Sequence, residues 1–134
     1  MIYNKTYKFN NDLIKGLEYN SDMTLYQKTF YDHVMYEMKN EIMKPNFPML
    51  VIIVGLNIHL LLYRIRSKYH MAVPFSIPNN IDQIQVGQFH FRDIYYNRNL
   101  KDGEIIIGDN LLETDNYILK KIRKEKLKKI KKFN

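Results

Sequence analysis

Apolar side chains change their period along this chain, and each change marks an element. Between Thr24 and Met43, Phe30, Tyr31, Val34, Met35, Met38 and Ile42 recur every three to four positions, while Lys28, Asp32, Lys39 and Asn40 lie on the other side. That spacing predicts a helix over 24–43 with one buried face. Asp22 or Ser21 is placed to cap it, and Pro45 and Pro48 stop it. Residues 11–20 read as a short helix or loop.

The most apolar stretch runs for 15 residues, from Met49 to Tyr63. A membrane span needs roughly 20 such residues, and Asn57 and His59 near the middle would be costly in hydrocarbon. Val51, Ile52, Ile53 and Val54 are β-branched, which favours a core strand. The preferred reading is two buried strands, 49–54 and 58–66, turned at Gly55-Leu56-Asn57; the alternative is a strand followed by a helix from Asn57 to His70. Pro74 and Pro78 mark a loop.

From Ile84 to Ile107 the period becomes two. Gln85, Gly87, Phe89 and Phe91 fall on one side of a strand, with Val86, Gln88 and His90 on the other. Asn97 to Gly103 is turn-like, and its Asp102-Gly103 pair is a hairpin signal. Glu104 to Ile107 is then a short strand ended by Gly108. Thr114 or Asp115 is placed to cap a last helix over about 116–132, with Ile118, Leu119, Ile122, Leu127, Ile130 and Phe133 on one broad half. Together these elements predict an α+β fold: an N-terminal helix, a small antiparallel sheet over 49–108 and a projecting basic C-terminal helix. The expected organisation is one compact domain over 1–115 and a basic amphipathic helix over 116–134. An α/β arrangement with a helix over 57–70 is the second choice.

Charge separates the last element from the rest. Of the 134 residues, those from Lys120 to Lys132 hold nine Lys/Arg against one acid, Glu125; elsewhere twelve bases face thirteen acids. The formal +7 therefore resides wholly in the last helix. Lys120, Lys121, Arg123, Lys124, Lys126, Lys128, Lys129, Lys131 and Lys132 are candidates to neutralise phosphates or another polyanion. Lysine outnumbers arginine eight to one in this stretch, which argues against bidentate reading of bases. Abundant Ile, Lys, Asn and Tyr with a single alanine, Ala72, point to an A/T-rich coding genome. The chain has no cysteine, so disulfides, thiolate metal sites and cysteine nucleophiles are excluded. The first residues lack the apolar run of a secretory signal.

Other chemistry is thinner. Between Gly87 and Arg98, Phe89, Phe91, Tyr95 and Tyr96 could stack bases while Arg92 and Arg98 hold phosphates. A strand with one aromatic face in the core explains the same pattern. His33 and Glu37 are spaced to reach one metal, but no second ligand pair accompanies them, and they read as an exposed helix pair. His59, His70 and His90 are scattered through the β region without companions in a catalytic order. Asp93, Asp102, Glu104 and Asp109 form a loose acidic group near strand ends, better explained by turns than by a metal site. No phosphate-binding glycine loop is present, and no cofactor or metal is implied. The expectation is a non-enzymatic assembly component, of a phage or virus type, in the cytoplasm or a virion and not secreted. Its partners would be other protein subunits, in a homo- or hetero-oligomer, and DNA or RNA through the last helix, with a membrane not expected. The alternatives are a small nucleic-acid-binding protein, ribosome-associated or regulatory, and, further behind, a metal-dependent hydrolase or nuclease.

Overall fold

A computed structural model describes residues 2–8, 24–42, 50–66 and 81–133. In chain order they form β1 (Ile2–Thr6), α1 (Leu25–Ile42), β2 (Val51–Val54), α2 (Leu56–Ile65), β3 (Gln83–Phe89), β4 (Arg92–Asn97), β5 (Glu104–Gly108) and α3 (Leu111–Phe133). The expected mixture of helices and sheet holds, but a strand, not a helix, comes first. The sheet is also mixed rather than antiparallel. Its order is β1-β5-β2-β4-β3, with β2 parallel to β4 and every other pair antiparallel.

Alternation along the strands divides the core between two faces. Ile52, Val54, Ile94, Ile105 and Ile107 join Tyr31, Val34, Met35 and Met38 of α1 and Ile58, Leu61 and Leu62 of α2. Ile53 and Ile106 point the other way, onto Ile118 of α3, with Tyr95, Tyr117 and Ile122 packed around them. The central strand β2 and its neighbour β5 are covered on both faces, which is why Val51–Val54 and Ile105–Ile107 read as apolar runs.

The stretch after Gly55 is a helix, so the two-strand reading of 49–66 is overturned in favour of its alternative. Leucine-rich sequence succeeds β-branched sequence at that point, and Ile58, Leu61 and Leu62 share one helical face. The Asp102-Gly103 pair does not make a hairpin, because β2 lies between β4 and β5. Its segment closes instead over the start of α2. The Asp102 carbonyl accepts hydrogen bonds from the backbone N–H groups of Asn57 (2.8 Å) and Ile58 (3.2 Å), serving helix-end donors that have no partner within the helix. The approach is close enough that a Cβ on Gly55 would stand 1.9 Å from the Lys101 carbonyl oxygen.

The hairpin that does form joins β3 to β4 through His90 and Phe91. Both have positive φ, 48° and 63°, a conformation that two-residue hairpins demand and that Asn or Gly normally supplies. Each costs about 1 kcal/mol or more in a residue of this kind. A register shift between Gln85 and Gly87 also breaks the strict alternation expected of β3. Val86, Gly87 and Phe89 are buried while Gln85 and Gln88 are exposed, the effect of one extra residue in a bulged strand.

Helix caps also fall beside the expected positions. Thr24 caps α1 through a reciprocal pair with Gln27: the Gln27 N–H donates to Thr24 Oγ1 (3.1 Å) and the Thr24 N–H to Gln27 Oε1 (2.9 Å). Residues 9–23, 43–49 and 67–80, which carry the readings at 11–20, Ser21, Asp22, Pro45, Pro48, His70, Pro74 and Pro78, lie outside the described residues.

Candidate polyanion-binding helix

α3 starts at Leu111, earlier than the sequence pattern predicts, because Asn110 is the cap in place of Thr114 or Asp115. Asn110 Oδ1 accepts the Glu113 N–H at 2.9 Å, and its carbonyl accepts the Thr114 hydroxyl at 2.6 Å. Thr114 is fully buried against β5. A Cβ on Gly108 would stand 2.0 Å from Thr114 Oγ1, so this glycine lets the helix cross the strand. The next turns keep the contact: Ile118 is buried, Tyr117 and Ile122 flank it, and the Tyr117 hydroxyl accepts a hydrogen bond from Asn4 Nδ2 at 3.0 Å.

Lys121 ends the docked half. Its ammonium pairs with Glu104, whose carboxylate is only 2 % exposed and also accepts the Lys101 N–H at 3.1 Å. Both partners change meaning. Lys121 is committed to the body and is not a spare cation. Glu104 is buried at the start of β5, so it is not a strand-end metal ligand.

Beyond Ile122 the character reverses, and every side chain from Arg123 to Lys131 is exposed. Lys120, Lys124, Lys128 and Lys131 follow one another at helical spacing, a row ~16 Å long. Arg123, Lys126 and Lys129 stand on the remaining surface, exposed likewise, and Lys132 sits in the last turn. Like charges one turn apart cost a few tenths of a kcal/mol each in a bare helix. An anion laid along the row would remove that cost. Leu127 and Ile130 stand 56 % and 58 % exposed among these lysines. The chain matches no protein-family model, and no curated protein or solved structure is detectably similar to it.

The remaining sequence candidates do not converge. Arg92 and Arg98 sit at the start of β4 and just past its end, ~20 Å apart at strand rise. Arg92 Nη1 donates to the His90 carbonyl at 2.5 Å, and Arg98 lies 3.7 Å from Asp82. The four aromatics are dispersed, so they form no stacking platform. Phe89 and Tyr96 belong to the α1–α2 face, Tyr95 to the α3 face, and Phe91 stands free at the hairpin tip. The acidic group is split as well. Asp93 and Asp109 share a cleft at one end of β5, while Asp102 and Glu104 lie at the other. Among the described residues no three His, Asp or Glu side chains gather as a metal site, and no helix is long and apolar enough to cross a membrane. His59 is buried in α2, 6.4 Å from the Tyr96 ring, and is not on a strand.

His33 and Glu37 do pair along the helix, with His33 exposed, but Glu37 is partly covered and has further partners. Glu37 accepts hydrogen bonds from Lys5 and Tyr7 of the first segment and lies 3.1 Å from His33 Nε2. Burial pushes its carboxyl up, but the Lys5 and Tyr7 hydrogen bonds, with the charges of Lys5 and His33, outweigh that and hold it below the usual range. Burial and the bond to Glu37 push the Tyr7 hydroxyl far above its ordinary value. This cluster ties β1 to α1. Sequence reasoning missed Lys5 and Tyr7 because their partner lies about thirty positions away, outside any local pattern.

Proposed function

We propose that this chain is a non-enzymatic component of a larger assembly. In this reading α3 is a basic helix projecting from the α+β body, and its distal half holds a polyanion, nucleic acid foremost. The carrying observation is the unbroken exposure of Arg123 to Lys131, with Lys120, Lys124, Lys128 and Lys131 in one row. The half that precedes it is anchored by Ile118 and by the Lys121–Glu104 pair, so the charges stand on a rigid mount. Lysines without paired arginines suit phosphate neutralisation better than base reading. The abundance of Ile, Lys, Asn and Tyr fits a virion component encoded by an A/T-rich phage or viral genome.

The test is binding of single- and double-stranded DNA and RNA across a salt series, by the full chain and by a Lys124→Gln/Lys128→Gln/Lys131→Gln variant. The expected result is a linear fall of log K with log salt. On duplex DNA the slope should be shallower by about 2.7 in the variant, if each lysine neutralises one phosphate. Equal slopes, or no binding at low salt, would overturn the reading. A second reading draws on Leu127 and Ile130, whose exposure suits a helix laid in an acid-rimmed groove of a partner protein.

A further inference from the structure

The β3–β4 hairpin tip carries a feature that the basic helix does not explain. Phe91 is 96 % exposed and is held there by a backbone with φ of 63°, next to His90 at 48°. A bulky residue in the left-handed region is an outlier that surrounding structure must enforce. Here it projects a large apolar ring into water. Phe91 and Arg92 form one wall of a cleft of about 390 Å³ whose other lining residues are Leu50, Val51, Asp93, Asp109, Asn110 and Leu111. Knob and hole therefore share one surface. Arg92 and the two carboxylates, Asp93 and Asp109, all line that cleft.

We propose that this surface joins two copies of the chain about a two-fold axis, with Phe91 of each copy seated in the cleft of the other. A patch that holds both a protrusion and its receptor is self-complementary, which is what a two-fold contact requires, since each residue pair then occurs twice. The charges match as well, because each copy presents both Arg92 and Asp109 on the same cleft, so that a two-fold contact sets the cation of one copy against the carboxylate of the other. An aromatic anchor in a pocket with a charged rim is the usual form of an interface hot spot. The unfavourable backbone at the tip is maintained because it aims the ring outward. This contact deepens the assembly reading and is independent of what α3 binds.

Sedimentation velocity of nuclease-treated full-length protein over a concentration series tests it. The wild type should pass from monomer to dimer. Phe91→Gly should weaken the dimer by at least about 100-fold, since the anchor is lost twice. The same substitution should raise the melting temperature of the dilute monomer, because glycine adopts positive φ freely. That rise separates loss of contact from loss of fold. Arg92→Glu and Asp109→Lys should each abolish self-association, while an equimolar mixture of the two variants should form a heterodimer with both charge pairs complementary. A wild type that stays monomeric, a Phe91→Gly dimer as tight as wild type, or a mixture that does not pair would overturn the proposal. Salt-dependent nucleic-acid binding that persists in a Phe91→Gly monomer would leave the α3 reading standing while this one is decided separately.

Discussion

Lys121 and Lys124 lie one turn apart on the same helix and are the same residue, yet they belong to different halves of the molecule. Lys121 is turned onto the sheet and pairs with a carboxylate that is 2 % exposed; Lys124 stands in water with others of its kind around it. Within residues 111–122, one face (Thr114, Tyr117, Ile118, Lys121 and Ile122) is turned onto the sheet. Residues 123–131 touch none of it, and every side chain there is exposed. Charge alone does not divide them, because lysine serves both. What divides them is whether the helix still lies over β5.

Breaking the buried pair gives the largest contrast. Lys121→Gln leaves Glu104 without its counter-charge and should cost about 3 kcal/mol, the lower end of the range for a broken buried pair because the Lys121 side chain keeps 29 % of its exposure. Lys124→Gln should move stability by less than about 0.5 kcal/mol. Urea unfolding of both variants measures the difference, and equal midpoints would erase the division. The same contrast in apolar side chains comes next. Ile118→Ala should destabilise by about 2–4 kcal/mol through the cavity it leaves between α3 and Ile53 and Ile106, whereas Leu127→Ala should fall within about 0.5 kcal/mol of wild type.

The smallest effect extends the comparison to the other face of the sheet, where Glu37 is a second carboxylate fixed by the fold. Its carboxyl is held below the usual range. Its contribution to stability is therefore complete above the unfolded-state pKa of about 4.3 and is lost as pH falls through the lower folded value. Acid unfolding of Glu37→Gln should show a flatter stability-versus-pH curve below about pH 5 than wild type does. Coincident curves would show that the cluster with Lys5, Tyr7 and His33 contributes nothing to the acid limb.

Local pattern made much of this fold legible. The period of α1 and the β character from Ile84 onward are present in neighbouring residues, and the structure has a helix and strands there; the charge division at Lys120 does not coincide with the structural one, because Lys121 is still docked. What could not be read is whatever depends on distant pairing. An Asp-Gly signal is a statement about turn chemistry, and here the turn crosses α2 and delivers β5 to the far side of β2. The true hairpin uses His90 and Phe91, which carry no turn signature although both adopt positive φ. The apolar run at 49–63 was ambiguous because a doubly covered strand and a core-facing helix are both nearly all apolar. Only the change from β-branched residues to leucine distinguishes them. At the candidate site, the Lys121–Glu104 pair links a helix to a strand start and leaves no trace in spacing.

The sheet order also dictates when the molecule can become whole. Among the described residues Ile2 to Thr6 pair only with Glu104 to Gly108, and the central strand β2 has β5 and β4 as its neighbours. During synthesis at roughly 5–20 residues per second, the first strand leaves the ribosome many seconds before the strand it will pair with has been made. Until then β1 is an unpaired edge, and the apolar face that β5 will share with α1 and α2 is open. A chain interrupted before Glu104 lacks the strand that joins β1 to the rest of the sheet. Such fragments should aggregate or be degraded rather than accumulate as partly working domains. The order of the strands thus acts as a completeness check on the polypeptide, passed only when the segment that leads into the basic helix has arrived.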